Sequence, residues 1–461
     1  MRPIQWRRST HAVIGVAVLL VVVAVVVAAA VLTGGRSSDA AEAIPPAPAF
    51  ATANPAIKPV ADSAQKPTPD KLAATLALTL ADPNLGAFTG RIADAATGEQ
   101  LWAQAADVPM QPASVTKVLT SSAALLGVDR DARLTTKVMV SDRRPGLVVL
   151  KGGGDPTLSA VPAGQETWYR HAARISDLAD QVRRSGTKVT AVQVDISAYS
   201  GPTMAPGWDP FDIDGGDIAP MEAVMLDGGR TQPVSVDSSR SRTPALDAGR
   251  ALAVALRVDP ATVGVLPSPF DSDKEIASVQ SPPLIERLRE MMSNSDNVMA
   301  EAIAREVAAA QGKPQSFEGA VRAVLDELDS AKIDTGGSHL MDCSGLSVDD
   351  RLTAETLDEA VGAAAGNDQP KLRPLVDLLP IAGGSGTLSN RFLDTDAGRA
   401  STGWLRAKTG SLTGTNSLVG IVTDSSGRVL TFALLSNNAG PSGRTAIDAL
   451  AATLRSCGCS T

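Results

Sequence analysis

The sequence predicts an α+β fold: an antiparallel sheet assembled from both ends of the chain, flanked by helices, with a β-rich domain inserted in the middle. Three observations carry this prediction. Hairpin patterns lie near both ends of the globular sequence, helical runs flank them, and residues 131–280 differ in texture, being rich in Gly, Pro and Asp with short β-like runs. Hydrophobic residues make up 44% and charged residues 20% of 461, enough for a large core.

At the N-terminus, residues 1–11 read as a cytoplasmic tail. An unbroken run of 21 apolar residues follows from 12 to 32, within a segment 12–33 that reads as a membrane anchor or a signal segment. A helix of that length rises about 1.5 Å per residue and crosses a hydrocarbon layer of roughly 30 Å. Arg2, Arg7 and Arg8 lie only on its N-terminal side, so the N-terminus is expected inside and the rest exported. Cleavage near Ala28–Ala30 is the alternative, which would release the chain as a secreted protein, although signal cores are usually shorter. Residues 34–70 are dominated by Pro and Ala and read as an extended spacer.

The globular sequence begins near Lys71. A helical LAATLALTLAD precedes FTGRIAD and EQLWAQ, which flank the turn AATG. At the other end SLVGIVT, the turn DSSG and RVLTFALLS precede a helical RTAIDALAATLRS. One sheet built from residues 71–130 and 281–461 accounts for both hairpins, with 131–280 (KVTAVQVDI, GLVVLKGGG) as an inserted accessory domain. Helical periodicity returns in IERLREMM and VMAEAIAREVAAA.

Charge excludes one class of function. Lys and Arg total 42 against 50 Asp and Glu, a net charge of −8. Arg2, Arg7, Arg8 and Arg36 all precede the first acid, Asp39, so the body is more acidic still, and no nucleic-acid partner is expected. His11, His171 and His339, with Cys343, Cys457 and Cys459, are too scattered for a metal or haem site, and no cofactor is expected. Free thiols are the default for the cysteines. A bridge from Cys457 or Cys459 to Cys343 is the alternative in an oxidising compartment.

With so few histidines, serine chemistry needs another base. Lysine serves when burial or neighbouring cations keep its amine neutral. The pattern S-x-x-K occurs at Ser63/Lys66, Ser114/Lys117 and Ser185/Lys188. The first lies in the Pro-rich spacer, and the third is a Gly turn entering a strand. Only Ser114 opens a helical run, VTKVLTSSAALL, in which positions three apart share a face. Further along, Ser295-Asp296-Asn297 precedes a helix, where such residues also serve as caps. Lys408-Thr409-Gly410 lies on WLRAKTGSL, which reads equally as an edge strand ending in a turn.

S-x-x-K, S-D-N and K-T-G in that order are the signature of penicillin-binding proteins and serine β-lactamases. The chain resembles the low-molecular-mass class C penicillin-binding proteins of the penicillin-binding protein 4 type over residues 75–456. LKGGGDPTL, YSGPTMAPGW, MDCSGLSVDDRLTA and LLPIAGGSGTLSNRF extend the resemblance beyond the site. Two features depart from it: the interval between Ser114 and Ser295 is short, and Cys343 stands where a small residue such as Gly is expected. Between Asn297 and Lys408 no Glu is followed four positions later by Asn, which argues against a class A β-lactamase.

The resemblance implies a serine β-lactamase/transpeptidase-like domain acting as a D-alanyl-D-alanine carboxypeptidase, with endopeptidase activity left open. Its substrates would be peptidoglycan stem peptides and its inhibitors β-lactam antibiotics. Ser114 would be the nucleophile and Lys117 its base. Ser295 would relay a proton, and Lys408 would keep the field positive and help to depress the pKa of Lys117. Asn297 would hold the substrate backbone, while Thr409, Gly410 and Ser411 would grip the terminal carboxylate. The N–H groups of Ser114 and Ser411 would form the oxyanion hole. Asp195 and Arg391 would bind the diamino acid of the stem. A catalytically weak peptidoglycan-binding scaffold is the alternative.

Overall fold

The computed structural model describes residues 19–28, 64–272 and 274–458. The chain divides into two compact units, Met1–Pro59 and Val60–Thr461. In the first, residues 19–28 form a helix on which Leu19, Leu20 and Val25 are 61–63% exposed. Among the described residues no helix is long and apolar enough to cross a membrane. The rest of the 12–32 run lies outside the described residues, as does most of the 34–70 spacer.

The second unit opens with α1 (Pro69–Leu80), which has Pro in its first turn and buries Leu72 and Leu76, four apart on one face. Its main sheet has the order β2-β1-β10-β9-β8, from β1 (Ala87–Asp94), β2 (Gln100–Gln104), β8 (Leu405–Leu412), β9 (Thr415–Thr423) and β10 (Val429–Asn437). Every pairing is antiparallel. Both sequence hairpins are therefore present, and β1 beside β10 joins the two ends of the chain.

Alternation along β10 feeds two cores. Phe432 and Leu434 face one, with α1 and the final helix (Gly443–Ser456), while Ala433 and Leu435 face the other. That second core is the helical layer: α2 (Thr116–Gly127), Leu284–Asn294, Asn297–Ala310, Phe317–Ser330 and Ala354–Ala365. Its position under the sheet carries Lys117 and Asn297 toward β8.

Residues 135–280 hold a second sheet, order β6-β5-β4-β3-β7, from β3 (Thr135–Val140), β4 (Leu147–Lys151), β5 (Ala191–Asp195), β6 (Gly264–Val265) and β7 (Lys274–Gln280). This sheet is mixed. β4–β5 and β5–β6 are parallel, and the connections carry α3 (Ile175–Arg184) and α4 (Pro244–Leu256), which pack on the sheet. Parallel neighbours need such crossovers, and these two helices are absent from the β-rich sequence reading. The insert also does not stand apart. Trp208, Ile213, Ile218 and Met221 share a core with Val298, Phe317 and Leu346 of the surrounding domain.

Cys343 is a buried free thiol, so it forms no bridge to either C-terminal cysteine. Cys457 is disulfide-bonded, which overturns the free-thiol default for that residue. Cys459 lies outside the described residues.

Candidate active site

A single turn presents Ser114. Residues Ala113–Val115 form a 3-10 turn leading into α2, with Ala113 held at φ +51°. Neighbouring strands fix this strained entry: Ser417 Oγ donates to Pro112 O at 2.6 Å, and Asn437 Nδ2 donates to Gln111 O at 3.0 Å. At the start of the turn, the Ser114 N–H has no acceptor within the helix.

One helical turn later, Lys117 is fully buried. Its Nζ donates to Ser114 Oγ at 3.0 Å, to Asn297 Oδ1 at 2.6 Å and to Ser344 O at 2.6 Å. Burial lowers its pKa to about 8, working against the carboxylates of Asp342, Asp296, Glu301 and Asp350, which push it up. Burial is thus the leading cause, where the resemblance gave the Lys408 charge a share. The repulsion between the two lysines is felt at Lys408, whose pKa is pushed well below its usual value by burial first, then by Lys117 and Arg391.

The S-D-N segment joins two helices. Ser295 ends Leu284–Asn294 at φ +57°, and Asp296 caps Asn297–Ala310 by accepting from Met299 N at 3.0 Å. Both readings of the motif therefore hold, with the cap on Asp296 and the cleft-facing groups on its neighbours. Lys408 Nζ donates to Ser295 Oγ at 2.9 Å, and Asn297 Nδ2 donates to Asp217 O at 3.0 Å. Burial would raise the Asp296 pKa. The Arg240 cation, Met299 N–H, Tyr169 hydroxyl and Arg230 cation outweigh it and hold the carboxylate below its ordinary value.

Lys408, Thr409 and Gly410 lie on β8, the sheet edge beside the Ser114 turn. Thr409 Oγ1 and Thr387 Oγ1 are 2.8 Å apart and hydrogen-bonded. A Cβ on Gly410 would lie 2.0 Å from Ser417 Oγ and 2.7 Å from Pro112 O, so only glycine lets strand and turn meet this closely.

These residues border a cleft of about 760 Å³. Ser114, Ser295, Asn297, Thr409, Ser411 and Arg391 line it, with Lys117 and Lys408 buried behind. Asp195 is not there. It ends β5 almost fully buried, accepting from Ser197 N at 2.9 Å and Phe270 N at 3.0 Å, with Lys151 at 4.0 Å. Its carboxylate is spent on tying down the second sheet. The acids that do line the cleft are Asp209, Asp212 and Asp217. Arg391 reaches the cleft but its guanidinium is engaged by both oxygens of Asp448, whereas Arg444 beside it is exposed.

The sequence reading also missed what supports the base. Asp342 accepts from Trp208 Nε1, Ser344 N, Gly345 N and Ser347 N at 2.6–2.9 Å, which curls the D-C-S-G-L-S loop so that the Ser344 carbonyl meets Lys117. A buried Asp within D-x-S-G was the available signal.

With the geometry in place, the sequence matches the D-Ala-D-Ala carboxypeptidase 3 (S13) model over residues 72–240 and 231–456. The chain belongs to the D-Ala-D-Ala carboxypeptidase 3 (S13) family. Residues 1–59 match a separate model, the Carboxypeptidase Rv3627c-like N-terminal domain. This S13 chain is 72% identical to Carboxypeptidase DacB of Mycolicibacterium smegmatis and 60% identical to Carboxypeptidase Rv3627c of Mycobacterium tuberculosis, in each case over 100% of both chains. In fold it resembles penicillin-binding protein 4 of Haemophilus influenzae, with a TM-score of 0.67 at 22% identity, covering 84% of this S13 chain and 98% of the other.

Proposed function

We infer that this chain is a serine D-alanyl-D-alanine carboxypeptidase acting on peptidoglycan stem peptides through an acyl-enzyme. The observation that carries the reading is Lys117 Nζ at 3.0 Å from Ser114 Oγ, with burial lowering its pKa to about 8. A neutral Lys117 takes the Ser114 proton as Oγ attacks the carbonyl between the two terminal D-Ala residues. The oxyanion forms against the Ser114 and Ser411 N–H groups, where loss of one donor costs about 3 kcal/mol. Ser295, hydrogen-bonded to Lys408, passes a proton to the departing amine. Water then attacks the acyl carbonyl, frees Ser114 and releases the shortened stem.

Thr409, Ser411 and Lys408 receive the terminal carboxylate, and Asn297 holds the substrate backbone. Acids of one segment, Asp209, Asp212 and Asp217, and the arginines Arg391 and Arg444 of others line the same cleft, which suits a stem residue bearing both an amine and a carboxylate. They replace the Asp195–Arg391 pair. Because β-lactams imitate the D-Ala-D-Ala end, Ser114 is also the residue they acylate. A docking scaffold has no need of two buried lysines each bonded to a serine.

Mass spectrometry of muropeptides incubated with the protein tests this reading. Loss of one D-Ala from pentapeptides supports it, cleavage of cross-linked dimers adds endopeptidase activity, and no change in either refutes it. For location, the apolar run 12–32 and the exposed apolar side chains of 19–28 favour a single membrane anchor with the catalytic unit outside. Sequencing the mature N-terminus distinguishes this from cleavage, since a start between residues 28 and 45 would refute the anchor.

A further inference from the structure

Tyr169 belongs to the segment between β4 and α3, far in sequence from every catalytic motif. It is 1% exposed, and its hydroxyl donates to Asp296 Oδ2 at 2.7 Å. Asp296 Oδ1 is occupied by Met299 N, so its carboxylate is gripped on two sides. Asp296 stands between Ser295 and Asn297, the partners of Lys408 and Lys117. Ser295 holds a positive φ that a side-chain-bearing residue keeps only under constraint.

The chain makes room for this contact. Gly228, at φ +65°, passes so near that a Cβ there would lie 2.4 Å from Tyr169 Oη and 2.7 Å from Arg240 Nη1. Arg240 in turn donates to Gly228 O at 2.6 Å and Gly216 O at 2.9 Å, which fixes the loops around the hydroxyl. The guanidinium of Arg230 stacks 3.5 Å from the ring of Trp168, the residue preceding Tyr169. Burial and the adjacent Asp296 charge push the Tyr169 pKa well up, so the hydroxyl remains a proton donor.

We infer that Tyr169 is a positioning residue for Ser295-Asp296-Asn297, by which the segment between β4 and β5 sets the geometry of the two lysine–partner bonds. It touches no reacting atom and acts through the Asp296 carboxylate. The inference rests on acylation at Ser114, which the wild-type protein reports independently.

The test is the rate of acylation of the full-length protein by a fluorescent penicillin, resolved into non-covalent affinity and acylation step. Tyr169→Phe, Asp296→Asn and the double variant are compared, with active sites counted by titration at saturation. A lost hydrogen bond to a charged group predicts a Tyr169→Phe acylation step about tenfold or more slower, with affinity nearly unchanged. In the Asp296→Asn background the same change should add almost nothing. An acylation step within threefold of wild type would overturn the inference. So would an equal loss in the Asp296→Asn background, or a loss that only tracks the fraction of folded protein. A wild type that takes no label would instead refute the acyl-enzyme reading, and this role with it.

Discussion

Lys408 donates a hydrogen bond to Ser295 Oγ at 2.9 Å although 113 residues separate them in the chain. The contact joins the edge strand β8 to the break between two helices and makes one site of two motifs. The same amine also donates to Thr409 O at 2.8 Å, so it is held within the strand as well as across the cleft.

Removing that amine has a predictable sign. Two cations repel reciprocally, and the Lys117 charge is one cause of the lowered Lys408 pKa. Lys408→Ala should therefore raise the pKa of Lys117 and move the acid limb of the pH–acylation profile upward. The shift stays modest because burial leads at Lys117. Substrates with a free terminal carboxylate should lose more rate than amidated ones. Acylation within a few-fold of wild type and an unmoved limb would show that Lys408 is only a strand residue.

Ser114→Ala should abolish both D-Ala release and penicillin labelling while leaving thermal unfolding nearly unchanged, since Ser114 lines the cleft and fills no core. Persistent covalent labelling of this variant would place the nucleophile elsewhere.

Gly410→Ala probes packing. The added methyl meets Ser417 Oγ at 2.0 Å and the Pro112 carbonyl at 2.7 Å, so β8 must withdraw from the Ser114 turn. Overpacking of this kind costs about 1–3 kcal/mol, and the displaced Ser411 N–H leaves the oxyanion position. Acylation should fall much further than stability does. Equal losses in the two measurements would argue that the strand merely unfolds.

Motifs whose chemistry is local were legible in the sequence. The Ser114–Lys117 pair needs only a helix face, and K-T-G needs only an extended strand entering a hairpin. Asp195 failed because an acid at a strand end serves a loop as readily as a ligand, and only the fold shows Phe270 N and Ser197 N occupying it. Tyr169 could not be placed because it acts through a partner more than a hundred residues away, at Asp296, whereas Asp342 stood in the legible D-x-S-G run and only its bond to the distant Trp208 needed the fold. The helices α3 and α4 were hidden by the Gly, Pro and Asp texture around them, although Ile175, Leu178, Ala179 and Val182 are spaced for one buried face.

The Lys117 pKa of about 8 sets the pH dependence of the wild type. Below that value the amine is protonated and cannot accept the Ser114 proton, so about one molecule in ten is competent at pH 7 and about nine in ten at pH 9. Acylation should climb through this window and level off above it. A profile flat from pH 6 to 9 would remove Lys117 from the role of base.

Asp342 gives the opposite sign from Lys408 and so provides the sharper control. Its charge is the leading influence raising the pKa of Lys117 against burial. Asp342→Asn deletes the charge, so the pKa of Lys117 should fall and the acid limb should move to lower pH. The variant also weakens the fold. Oδ1 accepts from Ser344 N and Gly345 N while Oδ2 accepts from Trp208 Nε1 and Ser347 N. An amide has one oxygen for these four donors, and its NH₂ would face two of them. Each buried donor left unpaired costs about 1–3 kcal/mol, so the urea midpoint should drop clearly. Loosening the loop also weakens the Ser344 carbonyl contact with Lys117, and the plateau rate should fall even as the limb moves down. A limb displaced upward, or unmoved in protein shown to be folded by active-site titration, would mean that the charge of Asp342 does not reach the base.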